Sequence, residues 1–163
     1  MRFFLLKVFI LTLYMKFVDY SLVNKNLKYG ISKEVEWRKR LSKKYPSIRD
    51  NNKENKFSSM DSYSDDNGIC IEHEHKQRNI KHNQYWSLFF NKSKFDKSVK
   101  KLEQNIRQIY YWTCKDGLYY WELTDPESQI DEYEFGRNGN FQTGEGNRDI
   151  VNIRMDYIKK YED

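Results

Sequence analysis

The histidines and cysteines are the residues whose chemistry could form a site. Cys70, His73 and His75 lie close together, and His82 and Cys114 follow them. Thiolates and imidazoles are preferred zinc ligands, but structural zinc sites combine two closely spaced pairs, and that spacing is missing here. We therefore predict no metal and no other cofactor.

The two cysteines leave two roles open. If the chain enters the secretory pathway, Cys70 and Cys114 could form one disulfide. The alternative is that Cys114, which falls on the apolar face of a predicted hairpin, is a buried free thiol. The sequence does not decide between these roles.

The sequence contains no recognisable catalytic pattern. No serine lies in a Gly-x-Ser-x-Gly elbow, and the three histidines all fall within a polar stretch. The carboxylates between Asp125 and Glu134 could include a catalytic pair, but an ordinary acidic surface has the same composition. We expect that the protein is not an enzyme.

Basic residues are concentrated in the amino-terminal part of the chain. Residues 1–60 carry 14 basic and 5 acidic side chains, whereas residues 101–163 carry 8 and 13. The densest basic cluster is Arg38, Lys39, Arg40, Lys43 and Lys44. Cations interleaved with aromatic rings, here Trp37 and Tyr45, suit the phosphates and bases of nucleic acid. A solvated helix face is the other interpretation of this cluster.

The first 21 residues have the layout of a signal peptide or signal anchor. Arg2 precedes a mostly apolar stretch that ends at Met15, although Lys7 interrupts it and no small-x-small cleavage motif follows. A buried strand or helix and an organelle presequence are the alternatives. A multi-pass membrane protein is excluded, because the longest uncharged apolar run, residues 8–15, is far too short to span a bilayer.

A basic helix and a linker are predicted before residue 83. Ser32 can cap a helix that ends before Pro46 and carries one apolar stripe, formed by Trp37, Leu41 and Tyr45. Residues 22–30 are interpreted as a polar connector. Residues 47–82 lack hydrophobic periodicity, which favours a flexible linker.

The carboxy-terminal part predicts a compact domain over residues 83–163. A helix from Ser93 has apolar residues at helical spacing as far as Ile109. Asp116-Gly117 predicts a hairpin turn in which Lys115 faces Leu118. The side chains of the hairpin face predicted to pack on this helix are Tyr110, Trp112, Cys114, Tyr119, Trp121 and Leu123. We therefore expect an α+β fold in which one helix packs on a small antiparallel β-meander.

These features give two hypotheses about function. The first is a small secreted or membrane-anchored protein that binds a partner protein. Its predicted contact residues are Tyr111, Tyr120, Tyr133 and Phe141, because exposed aromatic rings anchor interfaces. The alternative is an intracellular or organellar protein that binds nucleic acid through residues 33–44. A membrane would be contacted only through residues 1–21. The absence of alanine and the abundance of Lys, Asn and Ile indicate an AT-rich genome.

Overall fold

The computed structural model describes residues 20–51, 60–85, 87–137 and 148–162. Within these ranges the helices are α1 (Tyr20–Leu41), α2 (Lys92–Leu102) and α3 (Pro126–Gln129), with a 3-10 turn at Met155–Tyr157. The strands are β1 (Arg49–Asp50), β2 (Ser62–Asp66), β3 (Ile69–Gln77), β4 (Ser87–Asn91), β5 (Arg107–Cys114), β6 (Gly117–Leu123), β7 (Ile130–Arg137), β8 (Arg148–Arg154) and β9 (Lys159–Lys160).

The strands form two sheets. A six-stranded sheet has the order β1-β2-β3-β5-β6-β9, and a three-stranded sheet has the order β4-β8-β7. The central pair β3–β5 is parallel, whereas the other pairs are antiparallel. The α+β class is therefore confirmed. The small meander with one helix is wrong, because the larger sheet recruits three strands from the amino-terminal half.

A tight hairpin joins β2 to β3. Its loop is Asn67-Gly68, and both residues have positive φ angles, 54° and 84°. Positive φ at both central positions defines the type I′ turn, for which Asn-Gly is the favoured sequence. The flexible linker predicted over residues 47–82 is therefore wrong where β2 and β3 lie.

Helix α1 begins earlier than predicted, and it ends at Leu41, so the predicted end just before Pro46 is wrong. It already includes Tyr20, so the connector predicted over residues 22–30 is helical. The predicted apolar stripe is confirmed, because Trp37, Leu41 and Tyr45 are all buried. Residues 1–19, which carry most of the predicted signal segment, lie outside the described residues.

Helix α2 is shorter than predicted. Asn91, not Ser93, is its N-cap, and the Asn91 side chain accepts a hydrogen bond from the backbone N–H of Ser93. The helix ends at Leu102, and Asn105 then adopts a left-handed φ of 61° before β5 begins. Ile109 therefore lies in a strand, although its spacing continues the helical pattern.

The β5–β6 hairpin has the predicted faces with a different register. Thr113 pairs with Leu118, and Cys114 pairs with Gly117, so the loop is Lys115-Asp116. The predicted register is wrong, because each residue pairs two positions away from its predicted partner. A shift of two residues keeps every side chain on its original face. The apolar face does pack on α2, where Phe95 joins the same buried cluster.

Two residues on the opposite face of the hairpin are also buried. Tyr111 and Leu118 are 1% and 2% exposed, because Trp37 and Leu41 of α1 pack over them. The other residues of this face, Thr113, Tyr120 and Glu122, are partly exposed. The six-stranded sheet separates two cores, one under α1 and one under α2.

Ion pairs connect α2 to strand β3. The carboxylate of Glu74 is fully buried and accepts from Lys94 at 2.5 Å and from Lys76 at 2.7 Å. Glu72 binds Lys101 through both oxygens, at 2.5 and 2.6 Å. The lysines that α2 directs at the sheet are thus neutralised within the protein.

Candidate functional site

A groove of about 330 Å³ lies between α1 and the β5–β6 hairpin, and we call it the α1 groove. Four cationic side chains line it: Lys33, Lys39, Arg40 and Lys43. Trp37, Thr113 and Leu118 form its floor, and Glu36 is its one acidic lining residue. Among the lining residues, positive charge therefore exceeds negative charge by three.

The helical repeat of α1 positions these cations. Trp37 and Leu41 are one turn apart and point into the core. Lys33, Glu36 and Arg40 are spaced by three and four positions, so they share a second stripe of α1, and Lys43 lies in the turn after the helix ends at Leu41. The burial of Trp37 and Leu41 therefore fixes the direction of this second stripe.

Two of the groove cations are available to a ligand. Lys39 and Lys43 are exposed, and neither forms an ion pair within the part of the chain that the structure describes. Lys33 binds Glu36 at 2.6 Å. This hydrogen bond and the accompanying charge attraction raise the pKa of Lys33 and lower the pKa of Glu36. Arg40 lies over the Tyr161 ring, with 5.5 Å from its guanidinium carbon to the ring centroid.

The other two predicted basic residues lie elsewhere. Arg38 points along the sheet edge, where its guanidinium donates to Asp50 at 2.8 Å. Lys44 lies over three tyrosine rings, with its ammonium 5.5 to 5.9 Å from the centroids of Tyr45, Tyr120 and Tyr161. The structure thus brings Lys39, Arg40 and Lys43 together and assigns Arg38 and Lys44 to internal contacts.

Two residues of the groove floor, Trp37 and Thr113, contact the buried imidazole ring of His75. Trp37 stacks on His75 with 5.0 Å between ring centroids and an interplanar angle of 20°. His75 Nε2 shares a 2.8 Å hydrogen bond with Thr113 Oγ1. Burial lowers the pKa of His75 to about 3, so its imidazole is neutral at physiological pH. The floor therefore adds no charge.

The remaining histidines are engaged in internal contacts. His73 is fully buried, with its ring nitrogens bonded to Ser64 Oγ at 2.8 Å and to the Tyr111 hydroxyl at 3.3 Å. His82 Nδ1 binds Asp116 at 2.6 Å. Among the described residues, no group of three or more His, Cys, Asp or Glu side chains could hold a metal ion.

The disulfide alternative is wrong, and both cysteines are free thiols. The β3–β5 register places Ile71 opposite Arg107 and Gln77 opposite Thr113. By this register Cys70 and Cys114 lie about eight strand positions apart, roughly 26 Å at 3.3 Å per residue. A disulfide needs a Cα separation below about 7 Å. Cys114 is buried, as its position on the hairpin predicts.

The predicted partner-binding residues do not form one exposed surface. Tyr111 is buried, which corrects the expectation that it could contact a partner. Tyr120 is half-buried beneath Lys44. Tyr133 lies in β7, but its side chain, like the whole of Phe141, lies outside the described residues.

Sequence reasoning found the cations of the α1 groove and Trp37 of its floor, but it missed Thr113 and Leu118. Thr113 and Leu118 come from a hairpin far along the chain, and nothing in the local pattern links them to α1. Comparison of the chain with protein-family models, curated proteins and solved structures finds no match. Within the described residues, no helix has the length and apolar character needed to cross a membrane.

Proposed function

We propose that this is a non-enzymatic binding protein that holds the phosphates of nucleic acid in the α1 groove. The observation that carries this proposal is the convergence of Lys33, Lys39, Arg40 and Lys43 on one groove that contains a single acidic residue. This function corresponds to the second hypothesis from the sequence, in which the protein is intracellular or organellar and binds nucleic acid.

The chemistry of the groove supports a phosphate ligand. Lysine binds phosphate as a compact charge, whereas the planar guanidinium of Arg40 can form two parallel hydrogen bonds to one phosphate group. Neutralised phosphates release counterions, and this release favours binding most strongly at low salt. Lys39 and Lys43 are exposed, so a phosphate can bind them without breaking any ion pair found within the described residues.

A matched pair of variants tests the proposal. Lys39→Gln/Lys43→Gln removes two groove charges, and Lys97→Gln/Lys100→Gln removes two exposed charges from α2 on the opposite face of the sheet. Fluorescence anisotropy with labelled oligonucleotides would measure affinity at several salt concentrations. In a plot of log affinity against log salt, we expect the groove variant to lower the slope by about 1.4 for a single strand or about 1.8 for a duplex.

The control variant should lower the slope by much less. Equal losses in the two variants would show that the chain attracts nucleic acid through its net charge alone, and would refute the α1 groove as the binding site. No binding by the wild-type chain at low salt would refute the function itself.

Binding of a partner protein through the carboxy-terminal region stays a prediction. With Tyr111 buried, it depends on Tyr120, Tyr133 and Phe141. Substitution of Tyr133 and Phe141 by alanine would separate the two hypotheses. This change should leave nucleic-acid affinity intact if the α1 groove is the recognition surface.

A further inference from the structure

Tyr29 extends the α1 groove with an exposed aromatic ring. Its side chain is 53% exposed, and the ammonium of Lys33 lies over it at 5.9 Å from the ring centroid. Lys33 itself lines the groove. The ring is therefore continuous with the cationic lining.

We propose that the α1 groove binds single-stranded nucleic acid, with one base stacked on Tyr29 and phosphates further along the strand on Lys39, Arg40 and Lys43. This inference rests on the proposed function and specifies the class of ligand. Proteins that bind single strands without sequence preference combine a basic groove with aromatic rings that stack on bases.

Helix geometry places the ring in line with two of the groove cations, Lys33 and Arg40. Residues 29, 33, 36 and 40 are separated by four, three and four positions, so they share one stripe of α1, and Lys43 follows in the turn after the helix ends at Leu41. At 1.5 Å per residue, roughly 17 Å separates Tyr29 from Arg40 along the axis. A duplex is stiff and keeps its bases stacked inside, whereas a single strand can follow this stripe and turn one base onto the ring.

The neighbouring aromatic rings are not open to a base. Trp37, in the groove floor, is 3% exposed and has one ring face covered by His75. Tyr45 and Tyr161 are each 6% exposed. Along the part of this stripe that the structure describes, Tyr29 is the ring with a face available for stacking.

Within the described residues, burial in the core does not explain an aromatic residue at position 29. A tyrosine with half of its surface in water contributes little apolar burial, and its helix propensity is below that of alanine. Tyr29→Ala should therefore fold normally, which circular dichroism would verify. Tyr85 offers a matched control, because it is 57% exposed and lies outside the groove lining.

The experiment measures the affinity of Tyr29→Ala, Tyr29→Trp and Tyr85→Ala for three labelled probes. The probes are a thymine homopolymer strand, an abasic strand of the same length, and a duplex. We expect Tyr29→Ala to weaken binding of the thymine strand by roughly 5- to 150-fold, the range for loss of one base–aromatic stack. Its affinity for the abasic strand should be unchanged, and Tyr29→Trp should bind the thymine strand at least as tightly as wild type.

Two other results would overturn the inference in different ways. If Tyr29→Ala and Tyr85→Ala bind the thymine strand equally well, or if wild type prefers the duplex, stacking on Tyr29 is refuted while phosphate binding stands. If wild type binds none of the probes at low salt, the proposed function fails together with the inference.

Discussion

The positive charges on the two sides of the six-stranded sheet have different roles. Under α2, Lys94 and Lys101 bind the sheet carboxylates Glu74 and Glu72. Under α1, the sheet residues that face the groove are Thr113 and Leu118, which carry no charge. Lys39 and Lys43 therefore remain available to a ligand, whereas the lysines that α2 directs at the sheet form ion pairs with it. A count of basic residues alone would treat the two helices as equivalent.

Truncation of one anchor residue on each face should give the largest effects. Leu41 under α1 and Phe95 under α2 are 0% and 2% exposed. Leu41→Ala should destabilise the fold by about 2–5 kcal/mol and Phe95→Ala by about 3–5 kcal/mol, because each change leaves a cavity. Urea denaturation would measure both losses.

Only Leu41→Ala should weaken nucleic-acid binding under conditions in which both variants are folded, because Leu41 fixes the direction of α1. Equal binding by the two variants would contradict the division of labour between the faces.

Stability should fall between neutral and acidic pH because of the α1 face. The folded-state pKa values of His73 and His75 are lowered to about 3 by burial, from 6.5 when unfolded. Between these values the unfolded state binds more protons, so each histidine stabilises the fold as pH rises, by about 1.4 kcal/mol per pH unit.

Asp61 acts in the opposite direction. Burial and the nearby Glu74 raise its pKa from 3.8 to about 7, so in that range its folded form binds the extra proton. The three groups together give a net loss of about 1.4 kcal/mol per unit as pH falls from 6.5 to 4. Denaturation series at pH 7, 6 and 5 would check this slope. A single change, His73→Gln, should flatten it, and an unchanged slope would show that burial of His73 is not its origin.

Removal of one acidic partner on each face should give the smallest and most discriminating effect. Glu36→Gln releases Lys33 in the α1 groove, and Glu72→Gln releases Lys101 under α2. We expect Glu36→Gln to add about one phosphate contact and to steepen the salt slope by about 0.7 to 0.9. Salt-dependent anisotropy would measure both variants. A gain of similar size in Glu72→Gln would show that the location of the freed lysine does not matter.

Local patterns predicted the elements whose signals are contained in one segment. The apolar spacing of Trp37, Leu41 and Tyr45 predicted the buried stripe of α1, and alternation predicted the apolar face of the β5–β6 hairpin. The Asn67-Gly68 turn was also readable, because Asn-Gly between extended segments is a strong hairpin signal. The polar residues of β2 and β3 mask this signal, because such a composition resembles a linker.

Other features depend on contacts that no local pattern contains. Beyond Ile71, β3 buries Glu72, His73, Glu74 and His75, so this part of the strand lacks the apolar residues by which strands are recognised. Partners from α2, β2 and β5 bind most of these polar side chains, whereas Glu74 Oε2 is buried and has no hydrogen-bond partner among the described residues. The floor of the groove required knowledge of which sheet face α1 covers, and that follows from the whole fold.

The parallel pairing of β3 with β5 also determines when the groove can form. Residues 33–43 supply its cations and residues 113–118 supply its floor, so the intervening chain must cross over before the two meet. Such non-local contacts are the slow part of folding. On the ribosome, a nascent chain that has not yet reached residue 113 carries every cation of the site but has no sheet surface to orient them. The proposed binding should therefore appear only after residues 113–118 are made, and its appearance would report that the hairpin has joined the sheet.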